Sequence, residues 1–129
     1  MKRLGLLLLL AACTDPRARP VAPIVQLTFS PAFRLTSPGR VLGSLYMFDA
    51  DGIRSAALSV RSADSSFAGD STIFFTGDPE ITRAVSWCVP TGLALGSSVT
   101  LVSKVSALTG FVTSDTVRLS VVDTTGTCP

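Results

Sequence analysis

From residue 24 to residue 122, the apolar side chains of this 129-residue chain return at every second position. Val25, Leu27 and Phe29 alternate with Gln26 and Thr28, and Ala56, Leu58 and Val60 with Ala57, Ser59 and Arg61. Val117, Leu119 and Val121 do the same against Thr116, Arg118 and Ser120. A period of two sends successive side chains to opposite faces of an extended segment, so each stretch has one face to bury and one to leave in water. No segment sustains a helical period. Thirty-one residues from position 13 onward are Val, Ile or Thr, a share that suits pleated sheet. The expected fold class is all-β.

Turn signals divide the pattern into about seven strands. The first begins at Ile24; Ser30-Pro31 interrupts it, and Phe33 and Leu35 resume its apolar face before the turn TSPGR. Residues 41–48 are apolar on both faces, as a central strand would be. Asp49-Ala50-Asp51-Gly52 then reads as a turn, because Asp-Gly suits the positive backbone angles of tight connections. A strand around Ala56, Leu58 and Val60 follows, and residues 62–71 are polar and loop-like. A short strand at 72–76 holds Ile73, Phe74 and Phe75 and closes on Gly77-Asp78-Pro79. Residues 81–89 put Val85, Trp87 and Val89 on one face, and Pro90-Thr91-Gly92-Leu93 turns the chain. Strands at 99–107 and 116–122, separated by a turn at 108–114, complete the count. This spacing is that of a β-sandwich.

The order of strand, DADG turn, strand, late PTGLALG corner and final hairpin resembles the bacterial immunoglobulin-like and fibronectin-type families over residues 24–123. The resemblance implies a single Greek-key sandwich used as a spacer or binding module. Two features depart from antibody-type domains: Trp87 falls on the fifth predicted strand instead of the third, and neither Cys88 nor Cys128 sits where an inter-sheet bridge would be.

The N-terminus carries a different message. Met1-Lys2-Arg3 is basic and residues 4–12 are apolar apart from Gly5. A membrane-spanning helix needs about 20 apolar residues, so this run is too short to cross. A basic start, a short apolar run and small residues at its end are the parts of a secretory signal peptide. Leu10-Ala11-Ala12-Cys13 resembles the lipobox of bacterial lipoprotein precursors. The resemblance implies cleavage after Ala12, with diacylglycerol on the Cys13 thiol and an acylated new amino group. It places the mature chain on the bacterial cell envelope, attached to the membrane through its lipid. Thr14 follows where the enterobacterial inner-membrane retention signal would be Asp, which favours the outer membrane. The expected organisation is a signal peptide at 1–12, a Pro- and Arg-containing tether at 13–23, and an immunoglobulin-like sandwich at 24–129.

With Cys13 taken by lipid, Cys88 and Cys128 remain as a pair in an oxidising compartment. In a sandwich of this order the fifth and seventh strands run towards the same pole, which lets the two thiols meet and pins the C-terminal tail. The other arrangement open to the sequence is two unpaired thiols, one buried and one on the tail.

Composition removes several functions. Without residues 1–12 the chain has nine basic and nine acidic side chains, so it lacks the basic surface that nucleic-acid binding relies on. It has no histidine, which excludes Ser-His-Asp and Cys-His nucleophile systems and imidazole metal ligands. A glycosidase would need two carboxyl groups flanking a cleft, one of them kept protonated, and turn aspartates are normally solvated. The expectation is no enzyme and no cofactor. Asp49 and Asp51, two apart, form a candidate calcium site if joined by backbone carbonyls or the distant Asp64 or Asp70; the spacing lacks the third acidic ligand and closing Glu of an EF-hand loop, which favours a plain turn. Phe74 is the candidate ligand contact, because Ile73 and Phe75 share one face and leave Phe74 on the other. The expected work is that of a non-catalytic structural or interaction module bound to another envelope protein or a glycan. A carbohydrate- or small-ligand-binding lipoprotein is the alternative, and a calcium-dependent adhesive domain the third.

Overall fold

A computed structural model describes residues 21–128; the expected signal peptide, the expected lipidation site Cys13 and the expected tether before Val21 lie outside the described residues. Eight strands follow in order: β1 (Ile24–Ser30), β2 (Arg34–Thr36), β3 (Gly39–Phe48), β4 (Ile53–Ser62), β5 (Ala68–Phe74), β6 (Glu80–Val89), β7 (Ser98–Ala107) and β8 (Val112–Asp123). They form a three-stranded sheet, β1-β3-β6, and a five-stranded sheet, β2-β8-β7-β4-β5. The pairs are antiparallel except β2 with β8, which is parallel. The chain changes sheet repeatedly, in the Greek-key manner of an immunoglobulin-like sandwich.

The count exceeds the sequence expectation because the first predicted strand is two. β1 pairs with β3, and after Ser30-Pro31 the chain crosses to the other sheet, where Leu35 is buried on β2. Phe33 does not resume the apolar face: it has a positive φ of 62° at the crossover and stays 70% exposed. Two boundaries also move. β5 begins at Ala68, inside the stretch expected to be loop, and β8 begins at Val112, inside the expected turn. Edge strand β5 is exposed at most positions, so its polar first half carries no buried alternation to read. β3 is central in its sheet, but only one of its faces is covered: Val41, Leu45 and Met47 are buried and Leu42 stands in solvent.

The inward faces supply one core. Leu45 and Met47 come from the three-stranded sheet and Ile53, Val105 and Leu119 from the five-stranded one, all with no measurable exposure. Val85 and Val89 of β6 join them, and Trp87 packs against the core with its ring 6.2 Å from that of Phe29. Gly43 makes room for that arrangement, since a Cβ there would lie 2.5 Å from Phe29 Cδ1 and from the Thr28 carbonyl oxygen.

The strand directions define two poles. The tether pole holds Ile24, the β3–β4 turn, the β5–β6 turn and the β7–β8 turn; the distal pole holds the other connections and the C-terminal tail. β6 and β8 both end at the distal pole, and Cys88 and Cys128 are bonded there with Cα atoms 5.7 Å apart. The bridge closes a 40-residue separation. By chain-entropy reasoning its removal in a Cys88→Ser/Cys128→Ser variant lowers unfolding stability by up to about 4 kcal/mol, measured by denaturant unfolding as a lower midpoint with a steeper slope, since the freed unfolded chain exposes more surface.

Candidate functional site

Asp49 ends β3 at the tether pole and is 5% exposed. Its Oδ1 accepts the Asp51 N–H at 2.8 Å and its carbonyl accepts the Gly52 N–H at 3.0 Å. Gly52 has a φ of 102°, which an L side chain rarely adopts, so the DADG segment forms a tight turn for local reasons. Asp49 Oδ2 is buried without a hydrogen-bond partner, whereas Asp51 is exposed. Asp64 and Asp70 are not brought to this turn: Asp64 lies in the β4–β5 loop at the distal pole, and Asp70 on β5 is paired with Ser59. Among the described residues no group of three or more His, Cys, Asp or Glu side chains gathers as a metal site would require.

Asp64 instead organises its own loop. Its Oδ1 accepts the Ser62 hydroxyl at 2.7 Å, the Ser66 hydroxyl at 2.7 Å and the Ser66 N–H at 3.0 Å. These donors, the Ser62 hydroxyl foremost, lower its pKa from 3.8 to about 2. At the tail the Thr125 hydroxyl, followed by its N–H, lowers Asp123 in the same way. On the outer face of the three-stranded sheet, the Tyr46 hydroxyl donates to Glu80 at 2.9 Å, and this raises the phenol's pKa. Asp49, Asp64, Glu80 and Asp123 are thus each tied to a turn or a neighbouring strand.

Phe74 ends β5 at the tether pole with 78% of its surface exposed. Its cross-strand partner is Ser55, and the same row continues through Ser106 to Val112. Further along the outer face of the five-stranded sheet, Arg61, Thr100 and Arg118 stand side by side on β4, β7 and β8. Arg34 on β2 is opposite Ser120, one outward position beyond Arg118. Strands lie about 4.8 Å apart, so the three guanidinium-bearing residues share one corner of the face. Lys104 projects nearer the middle beside a depression of about 310 Å³ that also involves Asp70, Ser59 and Thr72. Arg34, Arg61, Lys104 and Arg118 are exposed and make no ion pair among the described residues. Neutral overall charge concealed this group in the sequence; only the cross-strand register assembles it.

A groove of about 520 Å³ runs between β1 and β8, lined by Val25, Leu27, Phe29 and Val117 with Phe33 at its rim. Asp115 Oδ2 accepts the Leu27 N–H across it at 2.8 Å and occupies a backbone donor on the open edge of β1.

No protein-family model and no curated protein matches the chain. Solved structures do. The chain is similar to the sporulation control protein of Bacillus subtilis, with a TM-score of 0.55 at 18% identity, covering 79% of this chain and 50% of that one. It spans about half of that protein's length. It is also similar to the PKD domain of a peptidase from a Thermoplasmatales archaeon, with a TM-score of 0.55 at 9% identity, covering 81% of this chain and 99% of that one. A superoxide reductase from Ignicoccus hospitalis matches with a TM-score of 0.50 at 10% identity, over 79% of this chain and 81% of that one. At these identities the likeness is one of fold: an immunoglobulin-like β-sandwich.

Two measurements test these assignments. Asp49→Asn keeps an oxygen for the Asp51 N–H and removes charge from the unpartnered position, so stability holds or rises; Asp49→Ala loses the turn bond and costs about 1 kcal/mol. If the turn held calcium, Asp49→Asn would instead abolish a calcium-dependent rise in Tm. For Asp64 the depressed folded pKa means that its bonds stabilise the loop above the unfolded value of 3.8 and are lost as pH falls through about 2. A carboxyl NMR titration checks this, and Ser62→Ala moves the midpoint back up.

Proposed function

We propose that the mature protein is a lipid-anchored module of the bacterial cell envelope that binds an acidic partner without catalysis. Cys13 carries the lipid, residues 14–23 join it to the sandwich, and the outer face of the five-stranded sheet meets the partner. The observation that supports the binding role is the set of exposed, unpaired basic side chains Arg34, Arg61, Lys104 and Arg118 on that face. Such charges cost little to desolvate partly and steer an oppositely charged surface into register. The Cys88–Cys128 bridge supports an oxidising compartment outside the cytoplasm. Acid–base chemistry has little footing here: Asp49, Asp64, Glu80, Asp115 and Asp123 accept hydrogen bonds that serve turns and strand pairs.

The partner most consistent with a mixed hydroxyl and basic β-face is another envelope protein with an acidic patch. The test has two parts. First, the intact mass of chain extracted from its membrane is expected to equal residues 13–129 plus acyl groups, with two thiols appearing only on reduction. A mass that retains residues 1–12 would remove the anchor. Second, cross-linking in membranes is expected to capture a protein with the native chain and to lose it with Arg61→Glu/Arg118→Glu at unchanged Tm. Retention of the purified chain on an immobilised carboxylated polysaccharide, with no captured protein, would favour the glycan-binding reading.

A further inference from the structure

Eleven large hydrophobic side chains are exposed among the described residues, and seven of them sit at the tether pole. Isolated exposed apolar residues are ordinary on a small domain, but a gathering at one end is not. Ile24 and Phe48 are direct cross-strand partners at the margin of the three-stranded sheet. Phe74 and Val112 flank the end of the five-stranded sheet, at the two ends of one row. Leu108 and Phe111 are exposed on the β7–β8 hairpin turn of the five-stranded sheet.

The turns that carry these side chains are zipped together by backbone hydrogen bonds. The Leu108 N–H donates to the Gly52 carbonyl at 2.9 Å, the Ala107 N–H to the Phe111 carbonyl at 2.9 Å and the Asp49 N–H to the Pro79 carbonyl at 2.8 Å. Leu108 also packs beside Gly52 and Gly77, where a Cβ would lie 3.0 Å from its Cδ1. The apolar tip is therefore held in place before it meets anything, which lowers the ordering cost of an encounter.

We infer that this pole docks onto the bilayer that holds the Cys13 lipid, an inference that rests on the anchoring reading above. The occupant follows from where the chain enters. Val21 lies at the same pole, and the eight residue steps back to Cys13 span at most about 29 Å even when fully extended. A lipid on Cys13 keeps the apolar tip within that reach of the surface, so even a weak contact is favoured by its high effective concentration. Asp51, Asp78 and Glu80 are exposed at this pole against Arg54, so the contact is apolar and shallow, with no electrostatic pull towards anionic lipid. Docking at this end leaves the distal pole, with Arg34, Arg61 and Arg118 near it, turned away from the membrane.

The test uses the full lipidated chain in phosphatidylcholine vesicles with brominated acyl chains, which quench tryptophan that enters the bilayer. Phe111→Trp places a reporter at the tip and Leu95→Trp places one at the distal pole, with Trp87 as the shared baseline. The expected result is loss of the added emission at position 111, no loss at position 95, and unchanged Tm in both variants. Should Phe111→Trp perturb folding, Phe74→Trp reports on the same pole. Intact mass is measured on the same sample, so the two readings fail separately. Acylated chain without quenching overturns docking and leaves the anchor; unacylated chain with quenching overturns the anchor and leaves docking. Absence of both acylation and quenching overturns the two together. Quenching at position 95 as well would also overturn the inference, since the domain would then have no preferred face.

Discussion

Two inner sheet faces with no water between them are the constraint on which the rest of this molecule depends. Leu45 and Met47 on one side and Ile53, Val105 and Leu119 on the other fill that layer, and a sheet that slipped by one residue would turn the whole set outward. The demand for a dry interior dictates where the connections lie and what they contain. Every turn must leave the layer at a pole, and its polar backbone must be satisfied there. The DADG turn meets that requirement with one aspartate oxygen, and the Ser62–Asp64–Ser66 network meets it at the opposite end with two hydroxyls and a carboxylate.

The two poles differ in chemistry. Carboxylates and exposed apolar side chains share the end from which the tether leaves, while arginines gather towards the other. The described sandwich is therefore polarised along its length. The disulfide lies at the arginine-bearing end and fastens the tail across the margin of the three-stranded sheet.

Much of this was legible in the sequence, for a physical reason. Interior strands such as β4 and β7 bury alternate residues at almost every step, so the period of two survives in composition. The Asp-Gly turn and the meeting of Cys88 with Cys128 followed from local chemistry and from strand direction. What escaped notice is non-local or one-sided. β2 is three residues long and buries one large side chain, Leu35, which is too little to declare a change of sheet. β5 is an edge strand whose first half presents polar residues outward. The basic corner joins residues 34, 61 and 118, and only the pairing register brings them together. Asp115 gave no sign of its role, because its partner is 88 positions away.

That last bond bears on mechanics. A chain held by its N-terminus delivers any pull into β1, which is paired with β3 along seven consecutive residues. Force directed along the strand from Val21 loads that ladder in shear: the inter-strand bonds share the tension and must fail nearly together, instead of parting one at a time as in a peeled hairpin. Asp115 adds a further attachment on the opposite side of β1, to a different sheet, so the first strand is gripped from both flanks. Under such a pull β1 is thus the load-bearing root of the domain.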